Sequence, residues 1–319
     1  MQAHFKRFAI LACLLISAPA AAQTWPSHLI KAIIPFGAGS ATDVVPRMVF
    51  ERLSTELGQT IVVENRAGAG GTVGTAAVIR SDPDGYSILA HSSAITIAPA
   101  IFTDLTYDAT KDLSSALMIG YSANVMITSP SKPWKTAQEF IEAAKKKDAS
   151  ITFGSVGIGS AVHISAEKFR LAAGIDVTHV PYRGGSEVIA DILGGRIDFY
   201  FCPLATALPL IQSGQVRALL VSTPKRVTDL PDVPAPPEIG LKDADSAIWF
   251  GVFVPSKAPK EVVEKLYESG SKVLANPDMQ AGLKKLGVEP WPMKPGEMDA
   301  LVAQQTVASA ALVKAAGIK

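Results

Sequence analysis

Twice in this 319-residue chain a glycine-rich turn sits between a short apolar strand and an amphipathic helix, which restricts the fold to alternating βα units. The first turn, Pro35-Phe36-Gly37-Ala38-Gly39-Ser40-Ala41-Thr42-Asp43, follows Ile30-Lys31-Ala32-Ile33-Ile34. The second, Gly154-Ser155-Val156-Gly157-Ile158-Gly159-Ser160, follows Ile151-Thr152-Phe153. Both are rich in small residues and hydroxyls and hold no Lys, Arg, Cys or metal-ligand pair. A glycine turn ahead of a helix leaves backbone N–H groups at the positive end of the helix dipole, an environment suited to an anion. Two such cups on separate lobes predict two surfaces closing on one anionic ligand, and binding rather than chemistry.

Residues 1–22 read as a secretory leader. Lys6 and Arg7 supply the positive segment, Phe8 to Ile16 a short apolar run, and Ala20-Ala21-Ala22 the small-residue cleavage site before Gln23. The run is too short to span a bilayer, and the expected compartment is a bacterial periplasm. Cleavage after Ala22 removes Lys6 and Arg7 from 30 Lys and Arg, leaving 28 against 29 Asp and Glu. That balance argues against a nucleic acid or an anionic membrane surface as partner. Cys202 is the one cysteine left, so no intrachain disulfide is expected. The stability of the chain must come from its core.

The remaining pattern is strand, turn, helix, repeated, which predicts an α/β protein with doubly wound sheets. Strand 30–34 precedes a helix with Val45, Met48, Val49, Leu53 and Leu57 on one face and Gly58 as its stop. Strand 60–64, a helix over 72–80, and strand 86–90 with the hydroxyl-bearing loop His91-Ser92-Ser93 complete a first unit. A second unit begins near residue 124, with strands at 151–153, 177–180, 196–201 and 216–222 alternating with helices. Strand 248–254 and three helices follow. The economical arrangement returns this tail to the first lobe. Lobe 1 is then 23–123 and 250–319, and lobe 2 (124–249) is an insertion with hinge strands near 124–128 and 247–252. Two interdomain crossings between α/β lobes provide a hinge, and a cleft between them is the expected ligand site.

These segments together resemble the periplasmic solute receptors of tripartite tricarboxylate transporters, the Bug (Bordetella uptake gene) proteins. The resemblance rests on Ile34-Pro35-Phe36 with its glycine turn and Asp43, Val63-Glu64-Asn65-Arg66, Gly68-Ala69-Gly70-Gly71, and Pro83-Asp84-Gly85-Tyr86. It continues through Gly154-Ser155, Gly157, Gly159-Ser160, His179-Val180-Pro181-Tyr182, Leu193-Gly194-Gly195 and Trp249-Phe250-Gly251, and so spans nearly the whole mature chain. It implies a two-lobed, flytrap-like monomer without cofactor or metal that carries a small organic carboxylate (a dicarboxylate, an aromatic acid or similar) to membrane permease subunits. By position it implies Phe36, Gly37, Ala38, Gly39 and Ser40 as ligand contacts on one lobe, with Ser155, Gly157 and Ser160 on the other. Ser92, Tyr182, Arg183, Gly184 and Asp198 are expected wall residues. Two departures stand out: Ser40 where the family often has glycine, and Pro46 where it often has alanine. Pro46 lacks an N–H, so the first helix begins late or bends unless Asp43 is its cap.

Other classes compete. Gly37-Ala38-Gly39 with Glu64 approaches a dinucleotide fingerprint, but Thr42 stands where the third glycine belongs. Ser155, Ser160 and His163 would be first suspects in an exported hydrolase, yet no Gly-x-Ser-x-Gly elbow exists. A sensory subunit passing the ligand to a membrane kinase uses the same cleft. Arg183 can pair with a second ligand carboxylate or with Asp198.

Overall fold

A computed structural model describes residues 25–318 apart from Thr103; the expected leader, residues 1–22, lies outside the described residues. The first half of the chain supplies β1 (Ile30–Ile34), α1 (Ala41–Leu57), β2 (Ile61–Asn65), α2 (Thr72–Ile79), β3 (Ser87–Ser92), α3 (Ala98–Ile101), α4 (Ala109–Asp112) and β4 (Leu113–Thr128). Then come α5 (Ala137–Ala144), β5 (Thr152–Ser155), α6 (Ala161–Ala173), β6 (Thr178–Pro181), α7 (Gly185–Leu193), β7 (Phe199–Pro203), α8 (Leu204–Gln212) and β8 (Arg217–Val221). The chain closes with β9 (Ala247–Pro255), α9 (Lys260–Ala275), α10 (Pro277–Lys285), β10 (Val288–Glu289) and α11 (Pro295–Ala316).

The strands run in the order β2-β1-β3-β9-β4-β7-β5-β6, with β8 and β10 also pairing with β4. Each lobe keeps three parallel strands: β2, β1 and β3 in one, β6, β5 and β7 in the other. The sheet is mixed because β9 and β4 run antiparallel between them. Helices cover both faces. Ile30, Ile34, Ile88 and Val252 pack with Val49, Phe50 and Leu53 of α1 and Leu266 of α9. Ile33, Leu89, Trp249 and Phe253 point the other way, toward Val78 of α2 and Met298 of α11. Such alternation along buried strands is the period-two signature of a sheet with a core on each side. In the second lobe one face holds an aromatic cluster, with Phe140 edge-on to Trp134 and Phe199 at centroid distances of 5.2 and 5.1 Å.

Of β4, the longest strand, the sequence pattern marks only the crossing near 124–128 and leaves residues 113–123 unmarked. Residues Leu113 to Ala123 pair with β9, whereas Asn124 to Ile127 pair with β7. A strand buried on both faces shows no alternation, and its serines and Gly120 mimic loop composition. Gly120 has φ +155°, and a Cβ there would lie 2.5 Å from the Glu289 carbonyl oxygen, so glycine admits β10 to the strand edge. β7 begins at Phe199 rather than Arg196 because Arg196 is tied back to the end of α7: its N–H donates to the Asp191 carbonyl at 2.9 Å and its Nε to Oδ1 at 2.6 Å. Pro46 does not delay α1, and Asp43 is not its cap. Ser40 is the N-cap and Pro46 the sixth helical residue, so the Thr42 carbonyl loses its donor.

Where the chain passes between lobes, three segments are knitted together. Asn124 N–H donates to Ser222 Oγ at 2.8 Å, Ser222 N–H to the Asn124 carbonyl at 2.8 Å, and Ser246 N–H to the Ser222 carbonyl at 2.6 Å. The lobes also touch away from these crossings. Ile164 of α6 packs with Ala94, Ile97 and Val313, and Arg170 Nη2 donates to the Ala316 carbonyl at 2.9 Å.

Under the second glycine turn lies a buried polar group. His163 and His179 stack at 4.0 Å, Gly159 N–H donates to His163 Nδ1 at 3.2 Å, and Ser155 Oγ lies 2.6 Å from His179 Nε2. Glu167 sits 3.9 Å from His163 and accepts from Arg170 Nε at 2.7 Å. Burial lowers His163 to about 3, helped by the neighbouring His179 and Arg170, and lowers His179 to about 4. His91 also falls to about 4 through burial, against its bond to the Ser92 backbone.

All three imidazoles are thus held neutral, and between pH 6.5 and those values the unfolded chain binds more protons than the folded one. Stability must therefore fall as pH falls through that window, by about 2 kcal/mol per histidine between pH 7 and pH 5. Glu167, pushed upward by burial against the pull of Arg170, acts with the opposite sign and trims the total. Urea unfolding at pH 7 and pH 5 should show a loss of a few kcal/mol; equal stability at both would contradict the neutral assignment.

Candidate ligand cleft

Three helices start at the same cavity. Its volume is about 400 Å³, and its wall includes residues Phe36 to Thr42 and Ser92 from the first lobe. The second lobe contributes Val156, Ser160 to Val162, Arg183 to Ser186, Ile189, Tyr200, Pro203 and Thr206, and Ile248 closes one side. These residues include the first turns of α1, α6 and α7, whose N-caps are Ser40, Ser160 and Gly184. The first N–H groups of a helix have no intrahelical acceptor, so three positive ends converge on one space. No Asp or Glu lines it, and Arg183 is its one charged side chain.

The first turn is held from behind. Asp43 is 3% exposed; its Oδ2 accepts from Gly39 N–H at 2.9 Å, and its Oδ1 from Arg47 Nε at 2.7 Å and Asn65 Nδ2 at 2.8 Å. Asn65 Nδ2 also donates to the Phe36 carbonyl at 2.9 Å. Burial raises the Asp43 carboxyl, but the hydrogen bonds from Asn65, Gly39 and Arg47 outweigh it and leave the group below the usual carboxylate range. The anion of Asp43 is therefore spent on the loop and faces away from any ligand. Phe36 lies edge-on to His91 at 5.4 Å. Ser40 is unlike an ordinary N-cap: its Oγ is buried, makes no capping bond, and has no partner among the described residues.

The second turn spends most of its polar groups on itself. Gly157 N–H donates to Ser155 Oγ at 3.1 Å, and Ser160 Oγ donates to the Gly157 carbonyl at 2.7 Å while accepting from His163 N–H at 3.3 Å. Ser155 is fully buried, and neither it nor Gly157 lines the cavity. Ser160 does, together with Ala161 and Val162 at the start of α6.

Placement of the remaining candidates is uneven. Ser92, Arg183 and Gly184 line the cavity. Tyr182 does not: its hydroxyl donates to Asp191 Oδ2 at 2.6 Å. Asp198 lies away from it and holds Lys132 Nζ at 2.6 Å and Thr152 N–H at 2.8 Å, so Lys132 rather than Arg183 is its partner. Tyr200, Ser186, Thr206 and Ile189 line the cavity without having been singled out from sequence. The Gly184-Gly185 pair ahead of α7 repeats the turn-then-helix signal of the two cups and could have flagged Ser186. Tyr200 and Thr206 carry no local signal of that kind.

The second glycine turn also meets the first lobe, at Ile101 and at the separate turn holding Gly70. A Cβ on Gly159 would lie 3.0 Å from Ile101 Cδ1, and one on Gly70 would lie 3.5 Å from the Ile158 carbonyl oxygen. A second cavity, of about 600 Å³, is lined by Tyr121, Trp291, Glu289 and the loop 223–229. It includes neither of the two glycine turns, and its acids, Glu289 and Asp229, offset its bases, Lys225 and Arg226, so it is the poorer match to an anion. Among the described residues no group of three or more His, Cys, Asp or Glu is placed to hold a metal ion.

The chain is similar to several solved periplasmic proteins. The periplasmic binding protein BugD is 34% identical, with a TM-score of 0.85 over 92% of this chain and 99% of its own. Rpa4515 of R. palustris, solved with adipate, is 28% identical, with a TM-score of 0.86 over the same shares. MatC of Rhodopseudomonas palustris, solved with bound malate, is 27% identical, with a TM-score of 0.83 over 90% of this chain and 99% of its own. The model of the "Tripartite tricarboxylate transporter family receptor" matches residues 45–318. With a two-lobed periplasmic-binding-protein fold and a match over most of its length, the chain belongs to this family of solute-binding receptors.

Proposed function

We propose that this protein is a periplasmic receptor that closes its lobes on a small organic carboxylate and delivers it to the permease subunits of a tripartite transporter. The observation that carries the reading is the convergence of helix N-termini from both lobes on one cavity without a lining acid. A carboxylate seated there accepts backbone N–H groups from α1 and α6 together, and it favours the closed arrangement by binding both. The adipate and malate held by the two R. palustris relatives are ligands of that chemistry. The leader over residues 1–22, cleaved after Ala22, would place the receptor in the periplasm. A signalling subunit would share the cleft and differ only in its partner.

The geometry favours a receptor over a hydrolase. Ser155 and His179 are 2.6 Å apart, the separation of a nucleophile and its base. Ser155 is nevertheless fully buried and off the cavity wall, and its Oγ accepts from Gly157 N–H. The pair therefore serves to shape the turn.

Ligand binding should contract the molecule: small-angle scattering is expected to give a smaller radius of gyration with a saturating carboxylate. An unchanged radius alongside calorimetric binding would count against lobe closure. Gly37 provides the sharper test of the cup. A Cβ there meets no atom within 4 Å, so Gly37→Val should fold normally and project into the ligand's space. Its affinity should drop at least 100-fold, about 2.7 kcal/mol. Ser40→Ala removes only the single bond that its otherwise unpartnered hydroxyl would give the ligand and should cost about tenfold. A folded Gly37→Val protein that binds within a few fold of wild type would sink the backbone-cup reading.

A further inference from the structure

The helix that turns its first N–H groups toward the cleft is fastened to the opposite lobe near its other end. α6 starts beside Ser160 on the cavity wall, and Arg170 lies about ten residues further along, roughly 15 Å at the helical rise. The Arg170 side chain is 20% exposed and does not line the cavity. Its Nε donates to Glu167 Oε2 at 2.7 Å within α6, while its Nη2 crosses to the first lobe and donates to the Ala316 carbonyl at 2.9 Å.

Both partners of that bond gain from it. Ala316 is the last residue of α11, and the N–H groups beyond it go elsewhere, Gly317 to the Lys314 carbonyl and Ile318 to the Val313 carbonyl. The Ala316 carbonyl is one of the terminal acceptors that a helix cannot satisfy itself, at the negative end of its dipole. A guanidinium supplies both a donor and a positive charge there, and such charge-assisted bonds are about twice as strong as neutral ones. The middle of α6 is tied down as well: Ser165 Oγ accepts from Asn124 Nδ2 at 3.0 Å and from Ser246 Oγ at 2.7 Å, both on the crossing segments. Only the start of the helix is left to a ligand. An N–H···O bond is lost beyond about 3.5 Å, so any opening that parts α6 from α11 breaks the contact between Arg170 and Ala316.

We infer that Arg170 is a positioning residue for ligand capture: by tying α6 to the end of α11, it raises the share of ligand-free receptors that rest with their lobes together. In those molecules the starts of α1 and α6 already share one cavity when the ligand arrives. The inference rests on the lobe-closure reading above and adds to it a contact, made by the protein itself, that favours the closed arrangement. Apparent affinity scales with the fraction of molecules in the competent arrangement, so losing the contact weakens binding without altering the cavity wall.

Removing Arg170 alone would strand the carboxylate of Glu167, whose side chain is 7% exposed. The test is therefore the double variant Glu167→Gln/Arg170→Met, with Glu167→Gln as the control that keeps the cross-lobe donor. A mature chain ending at Lys314 lacks the Ala316 carbonyl and breaks the same bond without touching α6. Small-angle scattering of the ligand-free proteins should give a larger radius of gyration for the double variant and for the shortened chain than for wild type and Glu167→Gln. With adipate and malate as probes, calorimetry should show about tenfold weaker binding in the two expanded proteins, with the order of the acids unchanged. At saturation all four radii should coincide. A merely structural role for Arg170 would lower the melting temperature and leave the ligand-free radius of the folded protein where it was. Equal ligand-free radii across the four proteins would overturn the role of Arg170, and lobe closure survives that result if wild type still contracts with either acid. Expanded variants that bind both acids as tightly as wild type would overturn the link to capture. If neither acid binds, the ligand-free radii alone decide the role of Arg170, and the failure belongs to the carboxylate reading.

Discussion

The first turn of an α-helix exposes N–H groups that the helix itself cannot satisfy, and three such ends open into one cavity here. Much of the molecule can be understood as the means of holding them in place. A glycine turn brings the backbone close to the cavity without side chains in the way. The parallel strands β1 and β5 feed into α1 and α6 from opposite lobes, and the packing of the lobes brings those ends to one cavity. The proposed site is therefore built mainly of main chain and its partial dipoles, with Arg183 as the one charged side chain on its wall.

Main-chain sites need rigid backing, and the two lobes supply it by different chemistry. Behind the first turn, Asp43, Asn65 and Arg47 form a charged clamp on Gly39 N–H and the Phe36 carbonyl. Behind the second, neutral imidazoles do the same work, with His163 accepting from Gly159 N–H and His179 beside Ser155. In both, the titratable groups face inward and the loop presents backbone outward. The hydroxyls of Ser155 and Ser160 belong to this backing, with one partner each in the second turn itself.

The periodic elements of the fold were legible in the sequence because apolar runs, glycine stops and proline breaks mark βα units directly. α1 stops at Gly58 as expected, α2 falls within the expected 72–80, and three longer helices follow β9. The first two thirds of β4, ahead of the expected crossing near 124–128, were illegible because a strand buried on both faces has no alternation. The first glycine turn was legible as a cavity-lining segment through local chemistry, whereas of the second only Val156 and Ser160 reach the wall. What could not be read was orientation: nothing local in the sequence turns Tyr182 toward Asp191, gives Asp198 to Lys132, or brings Tyr200 across from β7 to the start of α7. Those placements follow from how the elements stack. Short-range pattern does not encode that.

The continuity of β4 has a consequence for how the molecule comes apart. One strand belongs to both sheets, and a single apolar cluster runs from Ile34 and Val49 through Val125 to Val188 and Tyr200. Neither lobe owns a complete core, so excising the second would uncover Val125, Ile127 and Leu204 along the cut. Closure of the kind proposed would move the two halves as bodies, whereas this shared cluster couples their unfolding. Mechanical independence and thermodynamic independence are different properties, and a common core withholds the second.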